Sequence, residues 1–301
     1  MKYALTIGLV FIILSIGCKQ PPVSTLSAVK AKLELVFEDE FSQHTLDTSL
    51  WQTISTNPSP YDRILPRGSC NFDNAALLTE DNIVLKNGCL NLIAKQEQQI
   101  YQGIVGAEKG TPVGCDFYGG DTFELKQDFT SASLFSRKGY NHGLFECRAK
   151  IPSAKGLYPV FWLWHHDEIV VFEFFGDSHK HFVSAHNKEK YVTKQFSQMD
   201  YSQAFHHYAV YWTPQNITWF FEEEPIWTIC REGLADRNRC AEAQQADNTD
   251  YNIQESFPDS IDRWLRPNMS LRIYEWADQV AISSFPDTLV VDYVRVYQMG
   301  Q

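Results

Sequence analysis

From Leu35 onward the chain alternates apolar and polar residues over short runs broken by turn residues. Ile83-Val84-Leu85, then Lys86-Asn87-Gly88, then Cys89 to Ile93 reads as a hairpin, because Asn-Gly tolerates the left-handed backbone of a tight turn. The same alternation recurs over residues 143–151, 208–213, 217–221 and 288–297. Helix-period stretches are scarce; residues 259–266, ahead of Pro267, predict a turn or two of helix. Many short strands with closely spaced turns predict an all-β sandwich or barrel. No internal repeat and no second linker breaks the pattern, so one domain over residues 33–300 is the simplest organisation.

The first residues follow a different rule. An apolar run from Ala4 to Gly17 follows Lys2 and is too short for a spanning helix, which needs about 20 residues. It fits the hydrophobic part of a signal peptide over residues 1–17. The run ends in Leu14-Ser15-Ile16-Gly17-Cys18, which resembles a bacterial lipobox with Cys18 as the lipidated first residue of the mature chain. The expected location is a bacterial cell envelope, anchored by lipid to the outer membrane. Residues 18–32, polar and Pro-bearing, read as a tether. Export implies an oxidising compartment, and the remaining cysteines (Cys70, Cys89, Cys115, Cys147, Cys230 and Cys240) permit up to three disulfides. Cys230 and Cys240 bracket a polar loop and are the first candidates for a pair, whereas Cys147 sits within a strand pattern and fits a buried thiol.

Charge narrows the partners. The chain has 301 residues and a formal net charge of −11. That balance argues against a nucleic-acid surface, since few basic groups are available to neutralise phosphates. Aromatic residues make up 14%, a share that serves either a core or a stacking platform for ligand.

The segment from Leu157 to Gly176 holds Glu168 and Glu173 within a run of Trp, Phe, Ile and Val. Carboxylates among such neighbours are costly unless they are paired or functional. In a regular strand residues five apart point to opposite faces. One β-bulge between them returns Glu173 to the face of Glu168, and two carboxylates on one face are what a retaining glycosidase requires. Spacing alone equally permits one solvent-facing and one buried, paired glutamate.

Here the residues resemble glycoside hydrolase family 16. Glu168-Ile169-Val170-Val171-Phe172-Glu173 is similar to that family's bulged Glu-x-Asp-x-x-Glu signature. Phe37 to Phe41 with Leu46-Asp47 and Trp51 resembles its opening "DEF…LD…W", and residues 82–94 its "N-x-V-x-x-G-x-L-x-I-x-A" hairpin. Residues 143–152 and 156–162 are similar to its "G-x-x-E-A-R-x-K-x-P…G-x-W-P-A-F-W" run. Residues 205–214 resemble "F-H-x-Y-x-x-x-W-T-P", and residues 285–297 its closing strand. Each motif is weak alone, but together they cover most of residues 36–298 in order. The resemblance implies a β-jelly roll of two curved antiparallel sheets with a concave sugar-binding cleft, acting as a monomer on a polysaccharide or oligosaccharide.

Carried over position by position, the resemblance implies Glu168 as nucleophile and Glu173 as general acid/base. It implies Trp162 as cleft floor and His206 as a supporting residue, with Trp164 and Trp276 as further stackers of sugar C–H faces. Arg137 is a candidate donor to sugar hydroxyls or sulfates, and so, less directly, is Arg63. His166 shares the face of Glu168 by counting in twos; Glu275 and Asp278 are weaker candidates. No cofactor is implied for catalysis. A structural Ca²⁺ is implied at Glu40, Gly88 and Asp292, whose oxygens suit a hard cation.

One position departs from the pattern. The signature's Asp is replaced by Val170, which can neither orient a nucleophile nor hold a neighbouring proton. Two readings follow. The chain is a retaining endo-β-glycanase, impaired or rewired at Val170, on a β-1,3-glucan or marine galactan; or it is an inactive glycan-binding lipoprotein on the same fold.

Overall fold

The computed structural model describes residues 24–53, 76–104, 122–165, 167–187, 190–231, 247, 256–258, 264–273 and 284–300. One helical turn comes first, α1 (Leu26–Lys30). The strands follow as β1 (Glu34–Asp39), β2 (Trp51–Thr53), β3 (Ala76–Leu78), β4 (Ile83–Lys86), β5 (Cys89–Ala94), β6 (Gln99–Ile104), β7 (Thr122–Gln127), β8 (Phe129–Ser136) and β9 (Gly143–Lys150). The chain continues through β10 (Leu157–Trp164), β11 (Asp167–Glu173), β12 (His181–Asn187), β13 (Lys190–Phe196), β14 (His206–Trp212), β15 (Asn216–Phe221), β16 (Glu224–Cys230), β17 (Arg266–Ile273) and β18 (Asp287–Gln298).

Two sheets of eight strands form a jelly-roll sandwich. The first runs β16-β15-β14-β9-β18-β5-β4, with β1 also on β18; the second runs β13-β12-β11-β10-β17-β8-β2, with β3 on β8. All these pairings are antiparallel except β3 with β8. The hairpin expected at Asn87-Gly88 joins β4 to β5, and both turn residues have positive φ, 57° and 72°. The alternating apolar sets of both sheets meet between them, among them Phe145, Phe161, Leu163, Phe172, Trp212, Trp219, Leu271 and Val294. Burying this set is the main force holding the layers together.

Two segments differ from the pattern-based expectation. Residues 264–266 are not helical: Leu265 bridges Tyr140, and Arg266 opens β17. The flanks offered by β10 and β8 override a weak local helix preference. Part of the stretch read as a tether is folded. Thr25 caps α1, and Leu26 and Val29 pack with Leu144, Ala209, Phe220 and Tyr297 on the outer side of the first sheet. Lys30 adds an ion pair at 2.8 Å to Glu146, a side chain only 1% exposed. Among the cysteines, Cys147 is a buried free thiol and Cys89 a half-buried one, while Cys230 is disulfide-bonded. Cys18, Cys70, Cys115 and Cys240 lie outside the described residues.

Candidate active site

The outer face of the second sheet is built from strands whose pleat sorts their residues. On β10, Leu157, Phe161 and Leu163 enter the core, while Tyr158, Val160, Trp162 and Trp164 face outward and pack together. On β11, Glu168 opposes Trp164 and Val170 opposes Trp162, but Phe172 then opposes Phe161. Val171 is left without a partner, which is the bulge the spacing of the two glutamates required. Val171 and Phe172 both join the core, so Glu173 returns to the outer face opposite Val160. The bulge therefore places both glutamates on one face, with Val170 between them.

The flanking strands complete this face by register. On β17, Arg266, Asn268, Ser270 and Arg272 oppose Trp164, Trp162, Val160 and Tyr158. On β12, His186, Ser184 and Phe182 oppose Glu168, Val170 and Glu173. The Ser184 hydroxyl and His186 Nε2 lie 2.9 Å apart, and the His186 ring stacks on Tyr191 at 5.2 Å.

The two carboxyls differ in surroundings. Glu168 is half-buried at the more open end of the face. Glu173 is 7% exposed. Burial is the largest influence on it and, with the Glu168 charge, pushes its carboxyl up to about 8, against the hydrogen bond from Tyr158 and the charge of Arg272. The Tyr158 hydroxyl donates to Glu173 Oε2 at 2.8 Å. The Arg272 guanidinium lies over the rings of Trp162 and Tyr158, 5.4 Å and 5.9 Å from their centroids. A group that keeps its proton at neutral pH thus sits beside a better-solvated carboxyl, the asymmetry that separates an acid from a nucleophile.

Aromatic residues extend both ends of this face. Beyond Glu173, Phe175 contacts Tyr158 and Phe182, each at 5.0 Å between centroids. Beyond Glu168, the exposed Trp264 packs on His165 at 4.4 Å, with the Arg266 guanidinium 4.7 Å from its ring.

Other residues singled out in the sequence lie elsewhere. His206 is not beside the carboxyls. It sits on β14, 7% exposed among Tyr201, Tyr208 and Phe221, and its Nδ1 lies 2.8 Å from Glu222. Its parity on β14 is that of the core residue Tyr208, so it points between the sheets. Arg137 is turned to the start of β2 and the residues just before it, its Nε donating to the carbonyls of Thr48 at 2.6 Å and Trp51 at 3.2 Å. His166, Trp276, Arg63, Glu275 and Asp278 lie outside the described residues.

Glu40, Gly88 and Asp292 come close in the fold. Asp39 pairs Val294 on β18, and Leu90, just after the Gly88 turn, pairs Val291. Yet Glu40 accepts twice from Arg295, at 2.8 Å and 3.0 Å, and Asp292 accepts from Arg148. Two guanidinium groups already neutralise these carboxylates, so the donors as arranged do not offer a cation an open set of oxygens. No cluster of three or more His, Cys, Asp or Glu suited to a metal occurs among the described residues.

Residues 76–246 match the family model for glycosyl hydrolases family 16, more than half of the chain. The chain belongs to this family. Within it, the chain is similar to a beta-glucanase of Rhodothermus marinus, 27% identical over 195 residues that cover 57% of this chain and 63% of the relative. It is also similar to a glucan endo-1,3-beta-glucosidase of Cryptopygus antarcticus, 29% identical over 123 residues, 35% of this chain and 46% of the relative. The aligned stretch thus spans less than two thirds of either curated relative. Among solved structures, the laminarinase from Rhodothermus marinus has a TM-score of 0.63 at 23% identity, covering 89% of this chain and 98% of that one. The laminarinase catalytic domain from Thermotoga maritima has a TM-score of 0.62 at 19% identity, covering 90% and 100%. These likenesses show that the two sheets form the family's fold.

Sequence reasoning missed four members of this family-16 face: Tyr158, Arg272, Ser184 and His186. Tyr158 was open to discovery, since it stands an even number of residues before Trp162 and Trp164. Arg272, Ser184 and His186 were not, because only strand register brings them to β10 and β11.

Proposed function

We propose that the chain is a retaining endo-β-glycanase that hydrolyses O-glycosidic bonds of a β-linked glucan, with 1,3 linkages as the favoured target. The observation that carries this reading is the bulge at Val171, which returns Glu173 to the face of Glu168. Glu173, desolvated and protonated at neutral pH, donates its proton to the departing glycosidic oxygen while Glu168 attacks the anomeric carbon. Glu173, now ionised, then takes a proton from the water that hydrolyses the glycosyl ester on Glu168. Trp162 and Trp164 supply apolar faces for sugar rings. The named activities of the relatives, beta-glucanase and glucan endo-1,3-beta-glucosidase, favour a glucan over a galactan. The signal pattern and Cys18 support secretion and lipid anchoring in a bacterial envelope, with the domain acting as a monomer.

The test is release of reducing ends from laminarin, mixed-linkage glucan, agar, porphyran and carrageenan. Wild type should cut the 1,3-linked glucan, and Glu168→Gln should lower the rate about a thousandfold or more. Oligosaccharide binding without turnover on every glycan would favour the alternative that Val170 raises, a glycan-binding protein on this fold.

A further inference from the structure

The family signature has Asp at position 170 and Trp at position 158, and this chain departs at both, to Val170 and Tyr158. The two positions meet on one face. Val170 is 1% exposed and packs with Val160 and Trp162, and Tyr158 packs against the same cluster. A valine there offers no polar atom to either glutamate. Tyr158 lies on the next strand and supplies one, its hydroxyl 2.8 Å from Glu173 Oε2. Its ring is held between Phe175 and the Arg272 guanidinium.

We infer that the polar partner which Val170 cannot provide from β11 comes instead from β10, where the Tyr158 hydroxyl is the positioning residue for the acid/base carboxyl of Glu173. The inference rests on the proposed hydrolase reading. Holding Oε2 fixes the carboxyl plane and leaves Oε1 to carry the proton toward the glycosidic oxygen. When Glu173 ionises after giving up that proton, the same hydroxyl stabilises the carboxylate, as a charge-assisted hydrogen bond does. The charged and titratable groups facing Glu173 are Tyr158 from β10, Arg272 from β17 and Glu168 from β11; its partner on β12 is the uncharged Phe182. Of these, Tyr158 alone is placed to act on one chosen oxygen.

The experiment compares wild type, Glu173→Gln, Tyr158→Phe, Val170→Asp and the Tyr158→Phe/Val170→Asp double variant. Each is assayed for kcat/KM on laminarin and on a dinitrophenyl β-laminarioside, whose leaving group needs no proton. Tyr158→Phe should lower kcat/KM on laminarin by about ten- to a hundredfold and leave the aryl glycoside nearly unchanged. The basic limb of its pH profile should move to higher pH, because the hydrogen bond that Phe cannot make favoured the ionised carboxyl. In the Val170→Asp background the same substitution should cost less, the non-additivity expected of two groups serving one carboxyl. Equal losses on both substrates would make Tyr158 a structural residue and overturn the inference. So would an unchanged Tyr158→Phe, with the hydrolase reading intact if Glu173→Gln is still inactive on laminarin. A wild type that turns over neither substrate would sink the hydrolase reading and this inference with it.

Discussion

Glu173 offers the sharpest test of the site, because its burial has an energetic consequence that needs no substrate. Its carboxyl stands at about 8 in the fold against an ordinary value of 4.5. Between those values the folded chain keeps a proton that the unfolded chain gives up. Stability therefore falls as pH rises through that window, the reverse of a salt-bridged carboxylate. At about 1.4 kcal/mol per pH unit, the gap corresponds to about 5 kcal/mol by pH 8. Glu173→Gln keeps the shape and an acceptor for the Tyr158 hydroxyl but cannot ionise. Urea unfolding midpoints of both proteins at steps from pH 5 to pH 9 measure the effect. Wild type should lose stability relative to the variant by about 1.4 kcal/mol per pH unit up to about pH 8, with no further change above it. A difference that stays flat from pH 5 to pH 8 would mean that Glu173 is solvated when charged, and would remove the basis for calling it the acid.

Further outcomes follow from other parts of the fold. Trp164→Ala, a half-buried ring opposite Glu168, should raise KM on laminarin oligosaccharides about tenfold with little change in kcat, as removing one stacking ring would. Lys30→Ala removes one partner of the buried Glu146, which keeps the Tyr293 hydroxyl at 3.0 Å and His207 at 3.6 Å, and thermal unfolding should show a loss of about 1 kcal/mol. Gly143→Ala should cost at least about 2 kcal/mol in the same assay. The residue has φ of +130°, and an added Cβ would meet the Tyr297 carbonyl at 2.5 Å.

The strands and the paired glutamates were legible in the sequence because their signals are local. Alternation marks a half-buried strand whatever it pairs with, Asn87-Gly88 selects its own turn, and the five-residue gap between Glu168 and Glu173 puts both on one face only if a bulge lies between them. The substitution at Val170 is equally plain as a missing carboxylate. Most of the side chains that surround this position could not be read this way. Arg272 on β17 and Ser184 and His186 on β12 lie outside the β10–β11 segment, and strand register alone makes them its neighbours. His206 departs from its expected place for the same reason. Its motif is local, but only the packing of β14 turns its ring between the sheets. Local periodicity thus determined the all-β class and the hairpin, while the two carboxyls stood out through their resemblance to the family-16 signature. Tertiary pairing alone decided which side chains surround those carboxyls, because a protonation state is set by burial and by neighbours a few ångströms away in space.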